Sequence, residues 1–361
     1  MWWRKILLIG LVGVFSVIFI IQIGDITELV ETVQKGQPVW ITVALALQLL
    51  WFLNQASLYQ SIYSLLGLPA RIRRLAPIVL ASNFVNFVTP SASLGALPLF
   101  LDDAHQRGLD AGRVALTNVL RLLLNLIWFS ILLTFSLTML FVWRQLQSYH
   151  IIAAAILFMI AVLMAGGLVL AGLRPNRLVR LLVWVASVLN QLGQHLLTHD
   201  LLKADRANQF AIQFSQAAVV LWEGRWRLAR PWLHVMLFDA LEMAMLYTVF
   251  RAFPGGGQPI GFAMLVTGYS VGVLFSVVAI TPQGVGAVEG LLIAAFRSFG
   301  LPAGRVAVIV LVYRGLSFWL PLLVGFAAVR WVHGLGKPIA EIETKTEEFA
   351  SDTARSGSER E

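Results

Sequence analysis

The sequence predicts an all-α polytopic membrane protein with about six full spans, two hairpins broken at Thr-Pro, and an inverted internal repeat. Three observations carry this. Of 361 residues, 58% are hydrophobic and only 13% charged, with a mean hydropathy of +0.78; a soluble domain carries about twice that charged fraction. The apolar residues gather into long runs almost free of charge, the mark of spanning helices. A Thr-Pro break and an octapeptide each recur 192 positions apart.

Composition excludes much chemistry. The chain has no cysteine, so disulfides, zinc-thiolate sites, iron–sulfur clusters and cysteine nucleophiles are ruled out. Its six histidines are dispersed with no HExxH-type pair, so neither a metal nor a cofactor is expected. The net charge of +8 lies mostly in short loops. There it reads as orientation and attraction to lipid headgroups, with no nucleic-acid partner. A membrane enzyme acting on lipid phosphates needs a nucleophile or general acid beside a carboxylate cluster; none is legible, so no catalysis is expected.

Taken in order, the chain opens with a basic end and the apolar run Ile6–Ile23. That run is longer than a signal core and no small-x-small site follows, so it reads as an uncleaved first span. Further spans are expected at Val39–Leu66, Val114–Trp143, Ile151–Leu173, Pro231–Phe253 and Val306–Val332. Two apolar stretches, Pro77–Leu101 and Ile260–Phe299, each contain a Thr-Pro break. A crossing needs about 20 unbroken residues, so each is a re-entrant hairpin or a pair of short spans. The loop at 24–38 is acidic, "GLPARIRRLA" at 67–76 has three arginines and no acid, and 174–230 holds seven arginines and one lysine against three acids. Basic loops stay in the cytoplasm. Both termini are therefore expected inside, with residues 24–38 outside. Residues 174–230 include the amphipathic "RLVRLLVWVASVLNQLGQHLL" and read as a cytoplasmic connector, either interfacial or solvated. The tail from about 334 to 361 is charged and poor in apolar residues, and reads as disordered.

Residues 1–333 thus form one transmembrane domain with repeat halves of about 38–143 and 231–332. Thr89 recurs as Thr281, and "GLDAGRVA" at 108–115 recurs as "GLPAGRVA" at 300–307. By the loop charges, the span at Val39 runs outside to inside and the span at Pro231 inside to outside. Inverted repeats with broken helices belong to secondary transporters, which seat their ligand near the membrane midplane. A proline bars the preceding turn from continuing. A half-helix starting near Ser91 or Gln283 would offer free N–H groups and a positive dipole end to a lipid phosphate. Gly95, Gly284 and Gly286 would allow close approach.

Five ionisable residues fall within apolar runs: Arg121, Arg314, Asp239, Glu242 and Glu289. Each costs about 2.5–3.5 kcal/mol at mid-bilayer even on the lenient scale, so each must face the bundle interior or water. Arg121 and Arg314 are candidate phosphate contacts, with Asn118 and Asn125 on the Arg121 face. Asp239, Glu242 and Glu289 are their candidate charge partners or respond to protonation. The bland alternative is that the arginines pair with acids to hold the bundle together. Asn83, Asn86 and Thr89 line the cavity or bond across helices. "DDAH" at 102–105 is a solvated helix end and not a metal site.

"TPQGVGAVEG", "GLPAGRVAVIVLVYRGLSFWLPLLVG" and "TPSASLGALPLFLDDAHQRGL" resemble the lysylphosphatidylglycerol synthase transmembrane-region family of flippase-like proteins, over about residues 5–333. The family's first motif often has Gly-Gly followed by an acid. Here Leu94, Gly95 and Ala96 stand instead, and the acids come later at Asp102 and Asp103. The resemblance implies a protein of the prokaryotic inner membrane that moves an anionic phospholipid or a polyprenyl-linked envelope precursor between leaflets. It brings no soluble synthase domain. The alternative is a non-transporting partner of envelope-synthesis enzymes.

Overall fold

The computed structural model describes residues 36–69, 71–89, 95–177, 179, 180, 183, 184, 204–254, 259–278 and 282–329. Every regular element among them is helical. The helices are α1 (Pro38–Leu65), α2 (Ile72–Val88), α3 (Leu97–Gln106), α4 (Ala111–Val142), α5 (Ser148–Leu173) and α6 (Ala204–Glu223). They continue with α7 (Ala229–Ala252), α8 (Phe262–Val278), α9 (Ala287–Ser298), α10 (Ala303–Arg314) and α11 (Leu320–Val329). A π turn, Gly315–Trp319, joins α10 to α11, and 3₁₀ turns occupy Arg225–Leu228 and Pro282–Gly284.

Five helical stretches are long and apolar enough to cross a membrane: α1, α4, α5, Trp226–Ala252 and Ala303–Val329. They fall on five of the six spans expected from the sequence. The sixth, Ile6–Ile23, lies outside the described residues, as do the tail and most of the amphipathic stretch before α6. Along α5, Ile152, Met159, Val162 and Leu163 stand exposed, which suits hydrocarbon and not water.

Each Thr-Pro stretch divides into two helices shorter than the five long ones: α2 and α3, with 17 and 10 residues, then α8 and α9, with 17 and 12. The order long helix, shorter helix, short helix, long helix therefore occurs twice. α3 and α9 also stop in the same way. Gly108 (φ 62°) and Gly300 (φ 85°) take the left-handed conformation, which costs glycine little. Leu109 N–H then reaches back to Ala104 O at 2.8 Å, and Leu301 N–H to Phe296 O at 3.3 Å. The AGR arginines that follow do one job twice. Arg113 Nη1 donates to Leu66 O, just past α1, at 3.2 Å. Arg305 Nε donates to Phe253 O, just past α7, at 2.9 Å. Each cation thus satisfies a carbonyl at a helix C-terminus and opposes the negative end of its dipole.

The chain forms two compact units: Met1–Asn54, Asn125–Val162 and Val235–Leu320 in one, Gln55–Leu124, Leu163–His234 and Pro321–Glu361 in the other. In the first, Phe250 and Phe296 meet edge to face at 4.9 Å. Gly268 and Gly272 let α8 lie directly on α9: a Cβ at Gly268 would enter the Phe296 ring, and one at Gly272 would stand 2.8 Å from Leu292 Cδ2. In the second, Tyr59 stacks on Phe100 with ring centroids 4.9 Å apart. Gly325 of α11 rests on α2, where a Cβ would stand 2.7 Å from Leu80 O.

Candidate functional site

The first unit holds the second break. Thr281 lies outside the described residues. After it, Gln283 (φ 50°), Gly284 (φ 65°) and Gly286 (φ 88°) all take positive φ. Only the first is unfavourable, since glycine accepts that region readily. Ala287, not Gln283, starts the half-helix, because the left-handed residues delay regular winding. Its N-terminus is also not open. Glu289 folds back so that its Oε2 accepts the Gly286 N–H at 2.7 Å, placing a carboxylate where a free ligand was expected.

Arg314, the last residue of α10, secures this arrangement. Its Nε meets Glu289 Oε1 at 2.7 Å, with the two side chains 10% and 5% exposed. Nη2 donates to Gln283 O at 3.4 Å, and the guanidinium lies 4.8 Å from the Phe318 ring centre in the π turn. One cation thus touches the break, the half-helix and its own helix's irregular turn. π turns gather at functional sites.

Beside it, α7 offers Asp239 and Glu242 from one face. Tyr269 Oη of α8 lies 2.6 Å from Asp239 Oδ1 and 3.1 Å from Glu242 Oε2. Asp239 Oδ2, and the hydroxyls of Thr267 and Ser270, are buried with no hydrogen-bond partner among the described residues. The sequence offered Asp239 and Glu242 as charge partners of arginine or as groups that respond to protonation. Arg314 does act on Glu242 electrostatically, and both carboxylates also meet Tyr269, a residue sequence reasoning did not single out.

The second unit holds the first break. Ser91 lies outside the described residues. Thr89 ends α2, its hydroxyl bonding Val85 O at 2.6 Å. Asn86 Oδ1 accepts the Ala96 N–H at 3.0 Å, so a side chain from α2 occupies the start of α3. Asn83 and Gln55 form a reciprocal amide pair at 2.8 and 2.9 Å, which is bonding between helices. Tyr59 Oη donates to Asn118 Oδ1 at 3.1 Å, and the Arg121 guanidinium lies 5.6 Å from the Tyr59 ring centre. Asn125, half-buried, belongs to the other unit.

Arg121 and Arg314 are not repeat-equivalent. In the register of the two AGR motifs, the counterpart of Arg121 is Tyr313, and that of Arg314 is Leu122. One position turns a helical side chain by about 100°. Both lie deep in their helices, but at angles one residue apart. Among the described residues no His, Asp and Glu group has the makings of a metal centre.

Broken helices with buried ionisable groups, among spans too apolar for water, define a multi-pass, all-helical membrane protein. The chain belongs to the Lysylphosphatidylglycerol synthase TM region family, with a match over residues 5–325. It is also similar to a UPF0104 membrane protein of Methanothermobacter thermautotrophicus, 23% identical over 344 residues, which span 90% of this chain and 95% of that relative.

Proposed function

We propose that this protein moves an anionic lipid, a phospholipid or a polyprenyl-linked envelope precursor, between the leaflets of a prokaryotic plasma membrane, as a translocator without catalysis. The observation that carries the proposal is the second break, where a charged pair and irregular backbone stand together in an apolar segment. Such backbone is tolerated at membrane depth only against protein or a wet cavity. Charge there marks pathways more often than it marks scaffolding. In this reading both termini are cytoplasmic and the halves are inverted. Arg121 and Arg314 contact lipid phosphate, and Glu289 competes with that phosphate for Arg314.

The test is transfer of headgroup-labelled phosphatidylglycerol, and of a labelled polyprenyl phosphate, across vesicles holding the purified protein. The wild type transfers one of them faster than protein-free vesicles. Arg121→Gln lowers that rate by about tenfold, the loss of one charge-assisted contact, with unchanged yield and melting. Wild-type vesicles no faster than empty ones for either lipid would sink the proposal and favour a non-transporting partner of envelope-synthesis enzymes.

A further inference from the structure

In the second unit, three arginines converge on one concavity. It holds about 500 Å³ and is lined by Pro69, Arg71, Arg74, Arg107 and Leu109. Arg71 precedes the first residue of α2, Arg74 lies in its first turn, and Arg107 follows the last residue of α3. The two helix ends are pinned together, since Arg107 Nη2 reaches Arg74 O at 3.4 Å.

Of the three lining arginines, only Arg107 has a carboxylate partner among the described residues, which leaves Arg71 and Arg74 as the excess charge. Asp103 pairs with Arg107 at 2.9 Å. The neighbouring acids are engaged elsewhere: Asp102 accepts the Gln106 amide and Asp110 accepts the Arg113 N–H. The first turn of α2 contains no acid, and the Arg71 side chain does not cap it, so the helix end adds its positive dipole. Like charges held in one hollow repel, and an anion seated among them removes that cost.

The second half builds the same pair of helices without such cations. The corresponding positions in the second half are Ala263, Val266 and Phe299, and α8 and α9 form without them. Orientation by loop charge would be served equally by arginines spread over the surface. Arg73 is exposed like Arg71 and Arg74 but lies outside the lining, which makes it the matched control. Depth fits a lipid phosphate as well. α1 is a spanning helix that ends at Leu65, and the pocket begins four residues later at Pro69. A site just past the end of a membrane-length helix suits a lipid phosphate.

We propose that this pocket is a phosphate-binding site at the membrane interface, taking the phosphodiester of an anionic lipid headgroup or a free phosphate group. It stands whether or not the protein moves lipid. The test is titration calorimetry of the full-length protein in neutral detergent, with dihexanoyl-phosphatidylglycerol, dihexanoyl-phosphatidylcholine and inorganic phosphate as probes. The wild type binds phosphatidylglycerol and not phosphatidylcholine. Arg74→Gln and Arg71→Gln each weaken that binding about tenfold, the scale of a charge-assisted contact, while Arg73→Gln leaves it within about twofold, as suits a screened surface charge. Inorganic phosphate that competes with the lipid assigns the site to phosphate in general; failure to compete assigns it to the lipid. The proposal is overturned if the wild type binds no phosphatidylglycerol, if Arg73→Gln weakens binding as much as Arg74→Gln, or if both pocket variants bind like wild type. Melting curves accompany each variant, and Arg71→Lys, which keeps the charge, recovers most of the affinity.

Discussion

Arg314 and Glu289 meet at 2.7 Å between Nε and Oε1, nearly withdrawn from the surface, and join the end of α10 to the start of α9 beside the break. The gain from such a pair is modest against its desolvation, but breaking it is expensive, because the surviving charge stays buried. Arg314→Met is expected to lower stability by about 3–5 kcal/mol. Glu289→Gln is expected to cost a similar amount, because it leaves the Arg314 cation buried without its counter-charge even though an amide oxygen still accepts the Gly286 N–H. The double variant should be milder than the two costs added, by about 2 kcal/mol of coupling. Unfolding in detergent measures all three, and strict additivity would show that the pair is not the unit holding the break.

The two AGR arginines predict a graded effect. Arg305 reaches Phe253 O at 2.9 Å and Phe250 O at 3.5 Å, whereas Arg113 reaches one helix-end carbonyl, Leu66 O, at 3.2 Å, and also stands 3.8 Å from Asp110 Oδ2 with its side chain 40% exposed. Hydrogen bonds from charged donors contribute about 1.5–3 kcal/mol, and exposure reduces that. Arg305→Ala should therefore fall within that range and Arg113→Ala below it. Hydrogen exchange should quicken locally, at the end of α7 for the first and at the end of α1 for the second. Uniform quickening over the chain would contradict the capping role.

Close helix contacts make a third prediction. At Gly325 a Cβ would meet backbone atoms, Leu80 O at 2.7 Å and Phe84 N at 2.8 Å, and backbone cannot swing aside. Gly325→Ala should cost about 1–3 kcal/mol by overpacking. At Gly268 the obstacle is the Phe296 side chain, so Phe296→Leu should recover part of the loss in Gly268→Ala. Gly166, with open space around it, should tolerate alanine. Melting temperatures in one detergent rank the three, and equal losses at Gly325 and Gly166 would refute the packing argument.

The spans were legible in the sequence because membrane burial demands long uncharged runs, and a Thr-Pro pair in such a run cannot hide. The start of each half-helix was not. Gln283, Gly284 and Gly286 could each have begun it, and the choice depended on a carboxylate three residues ahead of Gly286. The break residues looked like an open anion seat because sequence marks unpaired N–H groups but not what fills them; Asn86 and Glu289 fill two of those places. Tyr59 and Tyr269 went unnoticed because tyrosines in apolar helices carry no spacing signal. The AGR repeat was visible as a motif, yet its arginines' task appears only once the helix ends lie beside them. The depth of Arg121 and Arg314 can be counted along their helices, while the angle around each helix needs the register of the AGR repeat.

Tyr269 gives the last prediction. Its one hydroxyl proton serves two carboxylates, Asp239 at 2.6 Å and Glu242 at 3.1 Å, on α7 residues that share a face. Asp239 is 3% exposed and its other oxygen already has no partner among the described residues. Tyr269→Phe removes the donor without changing the ring, so the loss is the cost of an orphaned buried acceptor, about 1–3 kcal/mol. Removing the acceptor as well should relieve it. Tyr269→Phe/Asp239→Leu is expected to be more stable than Tyr269→Phe alone, because apolar replacement of both partners is nearly neutral where desolvation of one is not. Denaturant unfolding of the wild type and the three variants closes the cycle. A double variant less stable than either single one would mean that Asp239 is held by more than Tyr269.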